Sequence, residues 1–335
     1  MRPAVVLGTN LVVGGAALAW VLHCFGAPAL AILARAPSAW LITGFVCAVA
    51  AGFAAPALRW QILLAGLGAR RRLGALTAYR AAGQSVSALI PSAKLGGEPV
   101  RVYLLLRARV AAPSAIASVV VDRTLDMGAA AGFAFLFAVV LVRRDVPALA
   151  GAFVSVSLGV VALALGTGLT VRRLRSGAGL VTAAARATGL DRLRAVHGRM
   201  DALAAAETAA ATLVAEPRRL ARAFGVVVVA HTVVLLEYHL LLAAFGLPAG
   251  PLAVVAAIFA TGAAHSLPVP AAVGTLEGAQ MFLFGTLGYP PEVGLAVGLA
   301  VRLREVVWIV PGLVYLLATA PYARRPHSPP PKSPG

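Results

Sequence analysis

Apolar residues run in long blocks along this chain, and polar residues mark where each block begins and ends. A helix that crosses the hydrocarbon of a bilayer needs about 20 such residues, each adding 1.5 Å. Six blocks reach that length or come close to it: Val5–Leu22, Ala39–Leu64, Ser114–Val142, Ala148–Val171, Phe224–Phe245 and Val293–Ala320. The first has only Arg2 ahead of it and the poor cleavage sequence His23-Cys24-Phe25 behind it. It reads as a retained span and not as a cleaved leader.

Two further blocks are apolar but interrupted. Gly74–Arg107 carries Ser85, Ser87, Pro91, Lys94, Gly96, Gly97 and Glu98 in its middle, and Leu252–Leu287 carries His265, Pro268, Pro270, Gly274 and Glu277. Each predicts two half-helices joined by a Pro/Gly turn. Irregular backbone at membrane depth survives only where protein or a wet cavity meets its polar groups. Whether Leu252–Leu267 is half a hairpin or a full span is left open by its 16 residues. Arg172–Arg222, with ten Arg among many Ala and regular Leu, predicts amphipathic helices on the cytoplasmic surface. The Pro-rich end, 323–335, predicts a disordered cytoplasmic tail.

Composition agrees with immersion in lipid. The 335 residues are 60% hydrophobic and 12% charged, with a mean hydropathy of +0.88. A soluble domain carries about 25% charged residues, and disorder needs low hydrophobicity. Both are excluded. The net charge of +17 fits cytoplasmic loops beside anionic headgroups better than a nucleic-acid partner. With a cytoplasmic N-terminus and both interrupted blocks re-entrant, twenty cations fall in inside loops and three (Arg35, Arg143, Arg144) outside. The inside set includes Arg80. This predicts a multi-pass protein of a bacterial inner membrane with both termini cytoplasmic.

The interrupted blocks hold a repeat. One turn reads Pro91-Ser-Ala93-Lys-Leu-Gly-Gly-Glu98 and the other Pro270-Ala-Ala272-Val-Gly-Thr-Leu-Glu277, a shift of 179 residues. Twenty-five residues after Glu98 comes Arg123, and twenty-five after Glu277 comes Arg302. Each copy (about 39–142 and 224–320) is then span, broken hairpin and charged span. In the orientation above the copies are inverted, and inverted repeats with paired broken helices point to a transporter-type site. The fold class expected is an all-α polytopic membrane domain over 1–322, with six to eight transmembrane helices including the two hairpins.

Ionised groups at mid-bilayer cost at least about 2.5–3.5 kcal/mol each on insertion scales, so they must pair or line water. Glu98, Asp122, Asp126, Glu237, Glu277 and Glu305 share that depth with Arg59, Lys94, Arg101, Arg123, Arg302 and Arg304. Spacing suggests Glu98 with Arg101 and Arg302 with Glu305, each three apart. Asp122 and Asp126 share a face and repel, so a cation from another element is expected between them: Lys94, Arg101 or Arg302. The groups are expected to converge on one polar cavity. Its candidate lipid-headgroup and ion-pair residues are Arg101, Arg123, Arg302, Arg304, Glu98, Asp122, Asp126, Glu277 and Glu305. Guanidinium suits phosphate because its planar fork binds bidentately.

Other chemistry is missing from the pattern. No metal motif, nucleophile elbow or P-loop occurs, so no metal, catalytic residue or cofactor is expected. His231, His239 and His265 are lone histidines on apolar helices and read as structural. Cys24 and Cys47 read as packing residues rather than a disulfide. Trp20, Trp40, Trp60 and Trp308 fall near predicted span ends and read as interface anchors.

These motifs together resemble the transmembrane, flippase-like region of the lysylphosphatidylglycerol synthase family. The resemblance rests on Ser87 to Arg101, on Val121-Asp122-Arg123-Thr-Leu-Asp126, on Pro268 to Gly278 with Glu277, and on Arg302-Leu-Arg304-Glu305 with Pro311-Gly312. It covers about residues 5–320. The two turns are also similar to those of stand-alone, hopanoid-biosynthesis-associated members, although Ala271-Ala272-Val273 stands where that pattern has more Gly. The resemblance implies a lipid translocase or lipid-presenting protein. With the sequence ending about fifteen residues after its last span, the aminoacyl-transfer half is expected to be absent. Membrane lipids are the expected partners, alongside lipid-modifying enzymes. A membrane-embedded enzyme or accessory factor of lipid, hopanoid or envelope synthesis, and a scaffold for lipid-modifying enzymes, remain the alternative readings.

Overall fold

A chain dissolved in lipid has no water to satisfy its peptide groups, so its backbone must close its own hydrogen bonds. The computed structural model does so with helices throughout, and no strand occurs among the described residues. It describes residues 3–34, 38–89, 96–142, 150–175, 200–267 and 269–319, with 179, 182–183 and 188 besides. The expected turn residues Pro91, Lys94 and Pro268, the tail, and most of 176–199 lie outside these residues.

In chain order the helices are α1 (Pro3–Leu33), α2 (Ala39–Gly66), α3 (Leu73–Leu89), α4 (Glu98–Arg107), α5 (Ala112–Val142) and α6 (Ala150–Arg175). Then come α7 (Met200–Val214), α8 (Pro217–Ala244), α9 (Pro251–Ser266), α10 (Thr275–Thr286) and α11 (Pro291–Thr319), with a 3-10 turn at Pro270–Ala272 between α9 and α10. Prolines at the first turns of α8 and α9, and at the start of α11, begin those helices where a missing N–H costs nothing. Gly246 and Gly288 follow α8 and α10 with φ of 66° and 83°, the left-handed geometry that stops a helix. The six long predicted spans correspond to α1, α2, α5, α6, α8 and α11. Of these, α2, α5 and α8 are each long and apolar enough to cross a membrane by length and composition. Both interrupted blocks are broken helix pairs, α3 with α4 and α9 with α10.

The packing has a recurring plan. α2 and α8 lie against each other most extensively. α3 packs on α11, and its counterpart α9 packs on α5. Element order matches as well: long helix, broken pair, long helix in both α2–α5 and α8–α11. One core joins α2 and α8 to α9, α10 and α11, and a second joins α2, α3, α4 and α5. Small residues let these helices approach closely, with Ala253, Ala256, Ala257, Ala260 and Ala264 forming the buried stripe of α9. At Gly312 of α11 an added Cβ would lie 2.1 Å from the Ala81 carbonyl oxygen of α3.

The outer face is apolar: Leu136, Leu158, Leu165, Val229, Val306 and Leu317 are all exposed. In water that surface would be a large liability, and in lipid it is the ordinary solvent contact. The amphipathic segment is only partly a surface feature. α7 packs its stripe of Ala206, Ala210, Leu213 and Val214 on the bundle, and Ala210 and Leu213 meet Ala117 and Val121 of α5. Cys24 and Cys47 are free thiols on the outer face. Trp20 and Trp40 are exposed, whereas Trp60 is fully buried. Its place among the anchors is therefore corrected, because its ring is needed beside a buried guanidinium.

Candidate functional site

The charges on these helices do not meet in one chamber; they divide into three groups. The first is centred on Asp122 of α5, which is 0% exposed. It accepts hydrogen bonds from Arg59 Nε of α2, Arg80 Nη1 of α3 and Arg101 Nη2 of α4, each at 2.6 Å. Asp126, one turn along, accepts from Arg59 Nη1 at 2.9 Å. One guanidinium thus bridges two carboxylates that would otherwise repel. The Arg101 guanidinium also lies 4.2 Å over the Trp60 ring, and Trp60 Nε1 donates to Ser118 Oγ at 3.2 Å.

Beside this centre stands a looser triad. Arg123 lies 3.3 Å from Glu98 Oε1 at the head of α4 and 3.6 Å from Asp126 Oδ2. The three side chains are 24%, 22% and 30% exposed. The group as a whole holds four guanidinium groups against three carboxylates. Arg59 Nη2 and Arg101 Nε have no hydrogen-bond acceptor among the described residues.

The second group is tight. Arg302 of α11 donates from Nε to Glu277 Oε1 at 2.7 Å, from Nη1 to Glu305 Oε2 at 2.9 Å and from Nη2 to the Ala272 carbonyl at 2.6 Å. Nη1 also donates to the Ala271 carbonyl. Ala271 and Ala272 have φ of 50° and 49°, the left-handed region that costs a non-glycine residue about 1–2 kcal/mol. The arginine that caps their carbonyls compensates for this geometry. Gly274 (φ 76°) donates its N–H to Glu277 Oε2 at 3.0 Å and starts α10. His265 Nε2 lies 2.8 Å from Glu305 Oε1, which ties α9 to α11.

The third group joins α8 to α11. Glu237, also 0% exposed, accepts from Arg304 Nη2 at 2.7 Å and from Trp308 Nε1 at 2.8 Å. Arg304 lies over Tyr238 at 4.8 Å, and Trp308 stacks on Phe53 of α2 at 4.0 Å. Trp308 is therefore not an interface anchor: its ring N–H completes a buried carboxylate.

The first two groups contain the same triad. Glu98, Arg123 and Asp126 recur at the 179-residue shift as Glu277, Arg302 and Glu305, with the arginine between two carboxylates in both. The third member of each triad is also legible in the sequence, 28 residues after the glutamate. A second correspondence accompanies it. Arg59-Trp60 and Glu237-Tyr238 sit at the same place in two 28-residue helices, and each aromatic ring faces an arginine from another element.

Several expected pairings are corrected. Arg101 does not pair with Glu98, its neighbour three residues away; it reaches to Asp122, which has no water to replace a missing donor. Of the candidates for the Asp122–Asp126 partner, Arg101 is taken up for Asp122 and Arg302 is not, while Arg59 and Arg80 are added. Arg80, expected in a cytoplasmic loop, belongs to α3 and this group. The Arg302–Glu305 pair is as expected. Gly96 and Gly97 form the turn before α4, where a Cβ added to Gly97 would collide with the Gly83 carbonyl and the Gly97 N–H donates to Ser87 Oγ at 2.8 Å. Pro270 opens the 3-10 turn.

A groove of about 520 Å³ runs between α4 and α5, with Glu98 and Arg123 among its lining residues. The rest of its walls are largely apolar, including Val102, Tyr103, Leu106 and Val120. Among the described residues no cluster of three or more His, Cys, Asp or Glu fits a metal ion. The family model described as "Lysylphosphatidylglycerol synthase TM region" matches residues 5–312, a stretch that contains all three groups. No curated protein matched the chain.

Proposed function

The chain belongs to the family of lysylphosphatidylglycerol synthase transmembrane regions, and on that premise we propose that this lipid-related membrane protein translocates an amphipathic phospholipid between the leaflets of a bacterial inner membrane. The observation that carries the reading is the repeated triad: the same Glu–Arg–carboxylate set on two broken helix pairs, in halves that pack by one plan. Transporters commonly place their sites where two such halves meet.

The broken pairs are read as re-entrant. α9 has 16 residues and α10 has 12, so at 1.5 Å per residue they reach about 24 and 18 Å, short of a bilayer core of about 30 Å. Both termini are read as cytoplasmic, from the cation excess of the intervening loops. The surplus of guanidinium around Asp122 suits a lipid phosphate. No nucleotide site is expected in the sequence, so transport would run down the lipid's own gradient or be coupled to an ion gradient.

The test is fluorescent-lipid scrambling in proteoliposomes. Wild-type protein should accelerate exchange over protein-free vesicles, and Arg123→Ala should abolish most of the gain while the protein remains folded. Rates equal to those of protein-free vesicles for the wild type would end the proposal.

A further inference from the structure

The two halves share a plan, but their α4–α5 and α10–α11 contacts differ. At the 179-residue shift, the α10–α11 contact corresponds to the α4–α5 contact. In the second half it is closed by a small-xxx-small pair, Gly294 and Gly298. A Cβ on Gly294 would lie 2.6 Å from the Met281 Cα, and one on Gly298 would lie 3.3 Å from the Glu277 Cα. Glycine at these positions lets the backbones touch. The corresponding residues of the first half are Ala115 and Val119. Side chains stand there in place of glycine, and the groove of about 520 Å³, with Val119 among its lining residues, lies between α4 and α5. The volume is within the range of small-molecule sites.

The triads diverge in the same sense. Arg302 is drawn into four groups at hydrogen-bond distance, and Glu277 is 1% exposed. Arg123 sits 3.3 Å from Glu98, and both line the groove. Glu98 Oε2 has no hydrogen-bond donor among the described residues. Along the groove, Tyr103, Leu106 and Val120 are exposed on the apolar outer face. One end is therefore an ion pair with an unmet acceptor, and the remainder is hydrocarbon open to the side.

We propose that the α4–α5 groove holds one hydrocarbon chain of a phospholipid, with its headgroup phosphate at Arg123 and a headgroup N–H or O–H donor at Glu98. Charge complementarity selects this occupant. The triad presents one cation between two carboxylates, Glu98 at 3.3 Å and Asp126 at 3.6 Å, which matches a headgroup that brings an N–H or O–H donor alongside its phosphate and not a neutral lipid. The α10–α11 side is the structural copy, and there the backbones meet at Gly294 and Gly298. The proposal deepens the translocase reading by assigning the substrate class and the half that takes it.

Photocrosslinking tests it by binding alone. Full-length protein in nanodiscs is irradiated with phosphatidylethanolamine bearing a diazirine midway along one acyl chain, and labelled peptides are mapped by mass spectrometry. A parallel arm uses phosphatidylcholine with the same chain, whose trimethylammonium has no donor for Glu98. Label should concentrate on Pro99–Leu106 and Ile116–Thr124, several-fold above the α10–α11 surface, and several-fold higher with phosphatidylethanolamine than with phosphatidylcholine. Val120→Trp, an exposed position that only fills the groove, should cut this label at least about fivefold, while Leu299→Trp at the corresponding place in the second half should leave it unchanged. Label spread evenly over the membrane-facing helices, equal label from both lipids, or insensitivity to Val120→Trp would overturn the proposal. Groove labelling without lipid scrambling would instead remove the translocase reading and leave the site.

Discussion

Removing the arginine from each triad should separate a structural lock from a working site. In Arg302→Ala, Glu277 loses its cation at 1% exposure, and the carbonyls of Ala271 and Ala272 lose their donor. Stranding one member of a buried ion pair costs about 3–5 kcal/mol, and each orphaned carbonyl adds up to about 1–3 kcal/mol where water cannot reach it. The His265–Glu305 contact remains, so Glu305 keeps one partner. The expected loss is at least about 3–5 kcal/mol. Arg123→Ala removes contacts of 3.3 and 3.6 Å between side chains that are 22–30% exposed. These looser contacts leave Asp126 its bond from Arg59 and strand only Glu98, so the loss of stability should be clearly smaller than for Arg302→Ala. Unfolding in mixed micelles by SDS titration, read by tryptophan fluorescence, measures both. Arg302→Lys keeps the charge but not the fork, and should fall between wild type and Arg302→Ala. An Arg302→Ala protein within about 1 kcal/mol of wild type, or equal losses for the two alanine variants, would refute the division of roles.

Three further outcomes are expected. Ala271→Gly should be neutral or stabilise by up to about 1 kcal/mol by removing left-handed strain against a small gain in chain entropy, whereas Ala271→Val should destabilise by more than about 1 kcal/mol; the same SDS titration reads both. Gly312→Ala puts a Cβ 2.1 Å from the Ala81 carbonyl and should cost about 1–3 kcal/mol by parting α3 from α11, again seen by SDS titration; an unchanged midpoint would contradict the close packing. In a background lacking Cys24 and Cys47, Thr275→Cys should resist a bulky membrane-impermeant thiol reagent applied from the cytoplasmic side, while a cysteine at Arg71 reacts fully; equal reaction would make α9 a full span and remove the re-entrant reading.

Much of this protein was legible before any coordinates. The long apolar blocks became helices because lipid leaves the backbone no other partner, and the breaks at Pro, Gly and charged residues became the α3–α4 and α9–α10 turns. The 179-residue shift found Glu98 with Glu277 and Arg123 with Arg302, and extending it by three residues finds Asp126 with Glu305. Hydrophobic pattern and repeat are properties of order along the chain, so order along the chain is enough to read them.

Partner choice was not legible in the same way. Arg101 and Glu98 are helical neighbours, yet Arg101 bonds Asp122 on another helix, where burial leaves a carboxylate nothing else. Arg80 looked like loop charge, and Trp60 and Trp308 looked like anchors, until helix packing turned them inward. Nor could the matched halves be told apart from their shared residues: Gly294 and Gly298 bring one pair of helices into backbone contact, where Ala115 and Val119 stand in a pair flanked by a groove. Sequence determined which groups are present and which helices bear them. Only packing decided which faces meet, and in a medium with no water to substitute for a lost partner, that meeting settles where each charge goes and where a gap is left.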